Sequence, residues 1–179
     1  MSLNKHFYRI FLPVALLLLA ACSQDSGFDA NTIGEAQILN LASPEANVMA
    51  SGQPTEEQLR LLAESGVKHI INLRAPGEVD WDEAALVESL DMEYYSIPVA
   101  GARGVTRDNA ESLFSLLDSL EGQPVLVHCA SGNRVGALVA LSASQHDNLN
   151  VEQALAEGER WGLRSDGLKT AVRTVLSAN

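Results

Sequence analysis

The sequence predicts an α/β fold: a mainly parallel sheet covered by helices on both faces. Three observations predict it. β-Rich runs at Val67–Leu73, Met92–Val99 and Val125–His128 alternate with segments whose apolar residues recur at the helical period. The run Val67–Leu73 has the composition of a strand buried on both faces. Glycines, prolines and cap residues stand at the changeovers.

The chain opens with Lys5 and Arg9, followed by an apolar run from Ile10 to Ala21. A charged start followed by a short apolar run is the anatomy of a secretory signal. The run is shorter than the roughly 18 residues a membrane span needs. It ends in Leu19-Ala20-Ala21-Cys22, which resembles the lipobox of bacterial lipoproteins. That resemblance implies that Cys22 carries lipid and becomes the mature N-terminus. Ser23, in place of Asp, implies the periplasmic face of the outer membrane. The alternative is an ordinary signal that releases the chain to the periplasm, with Cys22 incidental. The expected organisation is a signal over 1–21, a polar tether and lead-in over 22–46, and one domain over 47–179.

Within the domain, Asn47–Ser51 reads as a short strand. Pro54 opens a helix in which Thr55 and Gln58 have capping-box spacing, and Gly66 ends it. Val67–Leu73 is a buried strand. Arg74–Trp81, with Pro76-Gly77 as its turn, is a loop. Asp82–Leu90 is a helix and Met92–Val99 a third strand. Ala100–Val105, with two glycines, is a candidate mobile loop. Thr106 caps a helix that runs to Leu120, its apolar face set by Leu113, Phe114, Leu116 and Leu117. Gly122-Gln123-Pro124 turns into the strand Val125–His128. Helices follow at about Arg134–His146, Val151–Trp161 and Gly167–Ser177.

The net charge is −11, and loss of residues 1–21 removes Lys5 and Arg9 and no acid, leaving −13. So acidic a surface argues against nucleic acid or anionic lipid as a partner. The membrane is expected to be met through the N-terminal lipid alone. With Cys22 acylated, Cys129 is the one free thiol, and no intramolecular disulfide can form. His6, His69, His128 and His146 show no metal-ligand spacing, and the glycines form no nucleotide-binding fingerprint, so neither metal nor cofactor is expected.

In such a sheet, ligands bind beyond the carboxyl ends of the strands, where residues 129–134 lie. The amides of Ala130, Ser131, Gly132 and Asn133 enter a helix, whose N-terminus favours an anion or a thiolate. Gly132 permits the tight turn. Arg134 offers a planar fork for a tetrahedral anion, and His128 is a candidate to orient or ion-pair the thiolate of Cys129. These are the parts of a cysteine nucleophile that attacks phosphorus or sulfur. Arg74 faces either this anion site or Glu78. Trp81 and Trp161 are read as packing residues.

The stretch His128-Cys129-Ala130-Ser131-Gly132-Asn133-Arg134 resembles the signature loop of the cysteine-dependent protein-tyrosine and dual-specificity phosphatases. Closer still is a bacterial branch, found beside β-lactamase-like hydrolases or fused to NAD kinase, matched also at Ser51-Gly52-Gln53-Pro54 and Ile71-Asn72-Leu73-Arg74. The resemblance runs from about Asn47 to Leu163. It implies a phosphatase fold and hydrolysis of phosphomonoesters through a thiophosphate on Cys129, with Arg134 and the loop amides binding the phosphoryl group.

Two departures bear on the chemistry. The superfamily's usual Cys-to-Arg spacing is one residue longer, and it usually places Ser or Thr where Val135 stands. The shorter spacing resembles rhodanese sulfurtransferases and also occurs in the phosphatase-like branch just named, and a Cys129 persulfide is the first rival reading. A catalytically weak anion-binding module is the second. The superfamily draws a general-acid Asp from a mobile loop, but Ala100–Val105 contains no acid. Asp108 is the nearest candidate, with Glu78 and Asp80 as alternatives and Asp82 read as a helix cap.

Lipidation is directly testable. Cys22→Ser should shift the chain out of the membrane fraction or leave it unprocessed. An unmodified Cys22 in the intact mass of membrane-bound protein would exclude the lipoprotein reading.

Overall fold

The computed structural model describes residues 27–178. Five strands form one sheet in the order β1-β2-β5-β3-β4. They are β1 (Ala42–Glu45), β2 (Val48–Ser51), β3 (His69–Asn72), β4 (Glu93–Ser96) and β5 (Val125–His128). The last four are parallel, and β1 joins β2 as an antiparallel edge. The helices α1 (Ala30–Glu35), α2 (Glu56–Glu64) and α3 (Glu83–Ser89) pack on one face; α4 (Arg107–Ser119), α5 (Asn133–His146), α6 (Val151–Arg160) and α7 (Asp166–Ser177) cover the other. The sheet is mainly parallel with helices on both faces, as the sequence predicts.

β5 lies between β2 and β3 and is buried along its length. Its register aligns Ser51, His128 and Asn72 in one row at the carboxyl ends of the strands. Side chains alternate along a strand, so this row faces the same way as Met49, Leu126 and Ile70, toward α1, α2 and α3. Val125, Val127 and Cys129 belong to the opposite cluster, under α4 to α7. The capping box of Thr55 and Gln58 forms, and Thr106 and Asp82 cap α4 and α3.

Cys22 and the rest of the apolar leader lie outside the described residues. The lead-in itself departs from the expected tether. Asp29 accepts the amides of Asn31 and Thr32 and so caps α1, whose Ile33 is fully buried. Ile38 follows it into the same cluster, with Phe28 and Leu41 packed alongside. The folded unit therefore reaches back to about residue 28, ahead of the expected start at 47. The apolar anchors are single residues spaced among polar ones, so composition reads as a tether. β1 escapes notice for a related reason: Ala42-Ser43-Pro44-Glu45 has no strand propensity and is held by pairing to β2. On that edge the Pro44 carbonyl accepts Nη2 of Arg160 at 3.0 Å.

The candidate mobile loop has a defined path. Gly101–Gly104 is a 3-10 turn between buried Val99 and Val105, and the Asn109 side chain donates to the Gly104 carbonyl at 2.8 Å. Among the described residues, no helix is long and apolar enough to cross a membrane.

α5 carries the Cys129 loop at its N-terminus, and α6 fixes its position. A Cβ built on Gly136 would lie 2.3 Å from the Gly158 carbonyl oxygen and 2.7 Å from the Leu163 nitrogen. Both obstacles are backbone, so neither can rotate away. Gly136→Ala should therefore destabilise the fold by about 1–3 kcal/mol or more, as overpacking of a filled core does. Chemical denaturation read by circular dichroism measures it, and an unchanged midpoint would refute the close helix contact.

Candidate active site

The loop after β5 turns from the strand end into the N-terminus of α5. Cys129 is fully buried and donates its amide to the Ser51 carbonyl at 3.3 Å. Gln53 donates its amide to the Ala130 carbonyl, and a bridge pairs Gly52 with Ser131. Gly132, at φ 79°, makes the left-handed turn into α5. A Cβ there would also meet Asn40 Nδ2 at 2.8 Å. Asn133 braces the far side, its Oδ1 accepting the amides of Arg164 and Ser165, both at 2.7 Å. Asn40 donates to the carbonyls of Ser131 and Gly162. Among the described residues, the amides of Ala130, Ser131, Asn133 and Arg134 donate to no protein acceptor. Four amides at a helix N-terminus thus remain available to an anion beside Cys129.

Arg134 is 7% exposed and strongly held. Nη1 donates to the Val99 carbonyl at 2.8 Å and to Glu78 Oε1 at 2.7 Å, and Nη2 to Glu78 Oε2 at 2.6 Å. The pair is bidentate, so the Nη1–Nη2 edge of the guanidinium is occupied. This refines the sequence expectation of a wholly free fork. By the planar geometry of the group, Nε–H and the outer Nη2–H remain as two parallel donors. Two parallel donors match two oxygens of a tetrahedral anion.

Glu78 is the partner of Arg134 and not a proton donor. The Arg134 hydrogen bonds, with the Ala75 amide and the Arg74 charge, hold its carboxyl down to about 2. It is ionised throughout the neutral range. Asp108 sits exposed in the first turn of α4, and among the described residues no hydrogen bond or ion pair ties it to the Cys129 loop. Asp82 is the N-cap of α3, donated to by the Ala85 amide. Among the described residues, no hydrogen bond or ion pair ties Asp80, Asp82 or Asp108 to the loop.

His128 cannot serve as an ion-pair partner of the thiolate. Its side chain leaves β5 on the opposite face from Cys129, and burial, opposed by a contact with the Cys129 backbone and helped by the nearby charges of Arg74 and Arg134, pushes it down to about 3. It is neutral. Its Nε2 lies 3.3 Å from Glu83 Oε1, without hydrogen-bond geometry. Glu83 is 3% exposed, and burial raises its carboxyl above the usual range. Gln53 Nε2 and Asn72 Nδ2 each donate to it at 2.6 Å. Asn72 Nδ2 also reaches the Tyr94 hydroxyl, and the Asn72 Oδ1 accepts the Arg74 amide. Arg74 donates in turn to Gln53 and lies near Glu78, 3.7 Å from Nε to Oε2.

The motif residues Gln53, Asn72 and Arg74 therefore form a buried polar layer beneath the loop, centred on Glu83. Sequence reading missed Glu83, which stands one residue after a helix cap and looks like an ordinary first-turn acid. Its only sequence signal is that both flanking motifs carry unspent side-chain amides.

The family model described as "DSP-PTPase phosphatase fused to NAD+ Kinase" matches residues 34–169. The chain belongs to this family. A β-lactamase hydrolase-like protein of Xylella fastidiosa is 32% identical over 118 residues, covering 63% of this chain. The chain spans 27% of that relative's length. A protein of Shewanella putrefaciens CN-32 described as "Putative phosphatase (DUF442)" superposes with a TM-score of 0.59 at 28% identity, covering 78% of this chain and 92% of its own. P. aeruginosa TpbA, solved as a Cys-to-Ser variant with phosphotyrosine, shares the fold at a TM-score of 0.59 and 22% identity, covering 78% and 84%. The family match begins at residue 34, in keeping with a phosphatase fold that includes the lead-in.

The Glu78–Arg134 pair sets an acid dependence. A carboxyl lowered from 4.5 to about 2 on folding contributes stability that is present above 4.5 and lost as the pH falls toward 2. Denaturant unfolding measured across that window should show the loss in the wild type and a shallower one in Glu78→Gln. Equal slopes in the two proteins would exclude the pair as the cause.

Proposed function

We propose that this chain hydrolyses phosphomonoesters with Cys129 as nucleophile. The observation that carries the proposal is the convergence of four unpaired loop amides and the free Nε–Nη2 edge of Arg134 around the Cys129 loop. The sulfur attacks phosphorus as the ester P–O bond breaks, and the amides and Arg134 hold the equatorial oxygens. Water then attacks phosphorus, the S–P bond breaks, and inorganic phosphate leaves with the thiolate regenerated. Family membership and the phosphotyrosine held by a relative of the same fold support a phosphorylated substrate.

Among the described residues no acid is hydrogen-bonded to the loop to protonate the leaving oxygen, and Val135 offers no hydroxyl to the departing sulfur. General-acid assistance is typically worth 10²–10⁴-fold. The reading is therefore of a slow enzyme that favours aryl and other good leaving groups. We place it on the periplasmic face of the outer membrane, held by lipid on Cys22. The four-residue interval between Cys129 and Arg134 favours one second reading, a sulfurtransferase that carries a persulfide on Cys129.

Steady-state assays on an aryl phosphate separate the two. Cys129→Ser should abolish turnover yet still bind vanadate. Arg134→Ala should lower kcat/KM by about 10²–10³-fold, the usual effect of losing a donor to developing charge. Thiocyanate formation from thiosulfate and cyanide, without phosphate release from the aryl ester, would overturn the phosphatase reading.

A further inference from the structure

A cavity of about 350 Å³ opens between α4, α5 and α6 at the amino ends of the strands, beside Val48 and Gly122. The Cys129 loop lies at the opposite, carboxyl ends, so the two sites are separated by the length of β5. The cavity floor is apolar: Leu113 and Ala143 are buried there, with Leu117, Leu120 and Val139 along the walls. Trp161 lies among the lining residues with its indole N–H donated to Glu157, and Phe114, 37% exposed, lines it too.

The polar lining has one sign. Glu45, Asp118, Glu121, Asp147 and Glu157 line the cavity, and no lysine, arginine or histidine does. Glu157 is paired with Arg160 at 2.6 Å, and the other four carboxylates make no ion pair or side-chain hydrogen bond among the described residues. The nearest histidine, His146, is spent elsewhere, stacked on Phe114 with ring centroids 3.8 Å apart and paired to Glu111 at 2.8 Å.

We propose that this cavity binds a small amphipathic cation: an aromatic or aliphatic body carrying an ammonium group. The volume falls in the range of small-molecule sites. Apolar walls disfavour a hydrated metal ion, and the carboxylates repel phosphate esters, so the ligand differs in class from the substrate proposed for Cys129. An ammonium complements the charge of the surrounding carboxylates, and Phe114 in the lining is an aromatic ring of the kind that attracts cations. The body of the ligand covers the apolar floor.

Nuclear magnetic resonance titration of the full chain tests it, read at the indole N–H of Trp161. The probes are 2-phenylethylammonium, 2-phenylethanol and 3-phenylpropionate, which share a ring and differ in charge. The ammonium should give a saturable shift, the alcohol should bind about tenfold more weakly, and the carboxylate should not bind. Asp118→Asn and Glu121→Gln, both exposed and outside the core, should each weaken the ammonium about threefold, with less effect at high salt. Equal binding of ammonium and alcohol would overturn the proposal, because the cavity would then select only for apolar surface. Absence of any saturable shift with the ammonium would also overturn it.

Discussion

The clamp of Glu78 on Arg134 is the interaction on which the geometry around the Cys129 loop depends. A guanidinium at 7% exposure, in a chain of net charge −11, needs dedicated partners. It finds them at the carboxyl ends of two strands and one loop: the Leu73 and Val99 carbonyls and both oxygens of Glu78. Each partner occupies one side of a rigid plane, so the remaining edge has a single direction. The cost of burying the cation is offset by neighbours that also aim it. The acid that satisfies the arginine is itself held as a carboxylate by the pairing.

A second layer lies beneath the first. Gln53, Asn72, Arg74, Tyr94 and His128 gather around buried Glu83 on the face of the sheet opposite Cys129. Each of the upstream motifs contributes one or two of these groups, so their spacing reflects one shared environment. Ser51 and Gln53 brace the loop through the backbone of the same segment that supplies a side chain below. The loop is thus supported from the strand on one side of β5 and by a hydrogen-bonded layer on the other.

Much of this was legible in the chain itself. β5, with its boundaries at Val125 and His128, the capping box at Thr55 and the cap at Thr106 are local signals, and each forms as read. So is the Cys129–Arg134 loop, because a strand end, a glycine turn and a helix start are contiguous. The roles of Glu78, Glu83 and Asn40 depend on partners 56, 30 and 91 residues away. No periodicity reports such a distance. His128 shows the opposite failure. Its neighbour in sequence is Cys129, but alternation along a strand turns the two side chains to different faces. The lead-in was misread because three isolated apolar residues, Ile33, Ile38 and Leu41, hold it down without a pattern.

The Pro44 contact on β1 bears on how copies of this protein share space. An open sheet ends in two strands with unpaired backbone groups, and these can zip onto the edge of a neighbouring molecule. Here one edge carries a proline, a glutamate and a carbonyl already engaged by Arg160. The other, β4, is four residues long and begins with Glu93. Short, charged and interrupted edges offer a neighbouring sheet little to extend. Such borders let molecules be packed at high density side by side while each keeps its own fold.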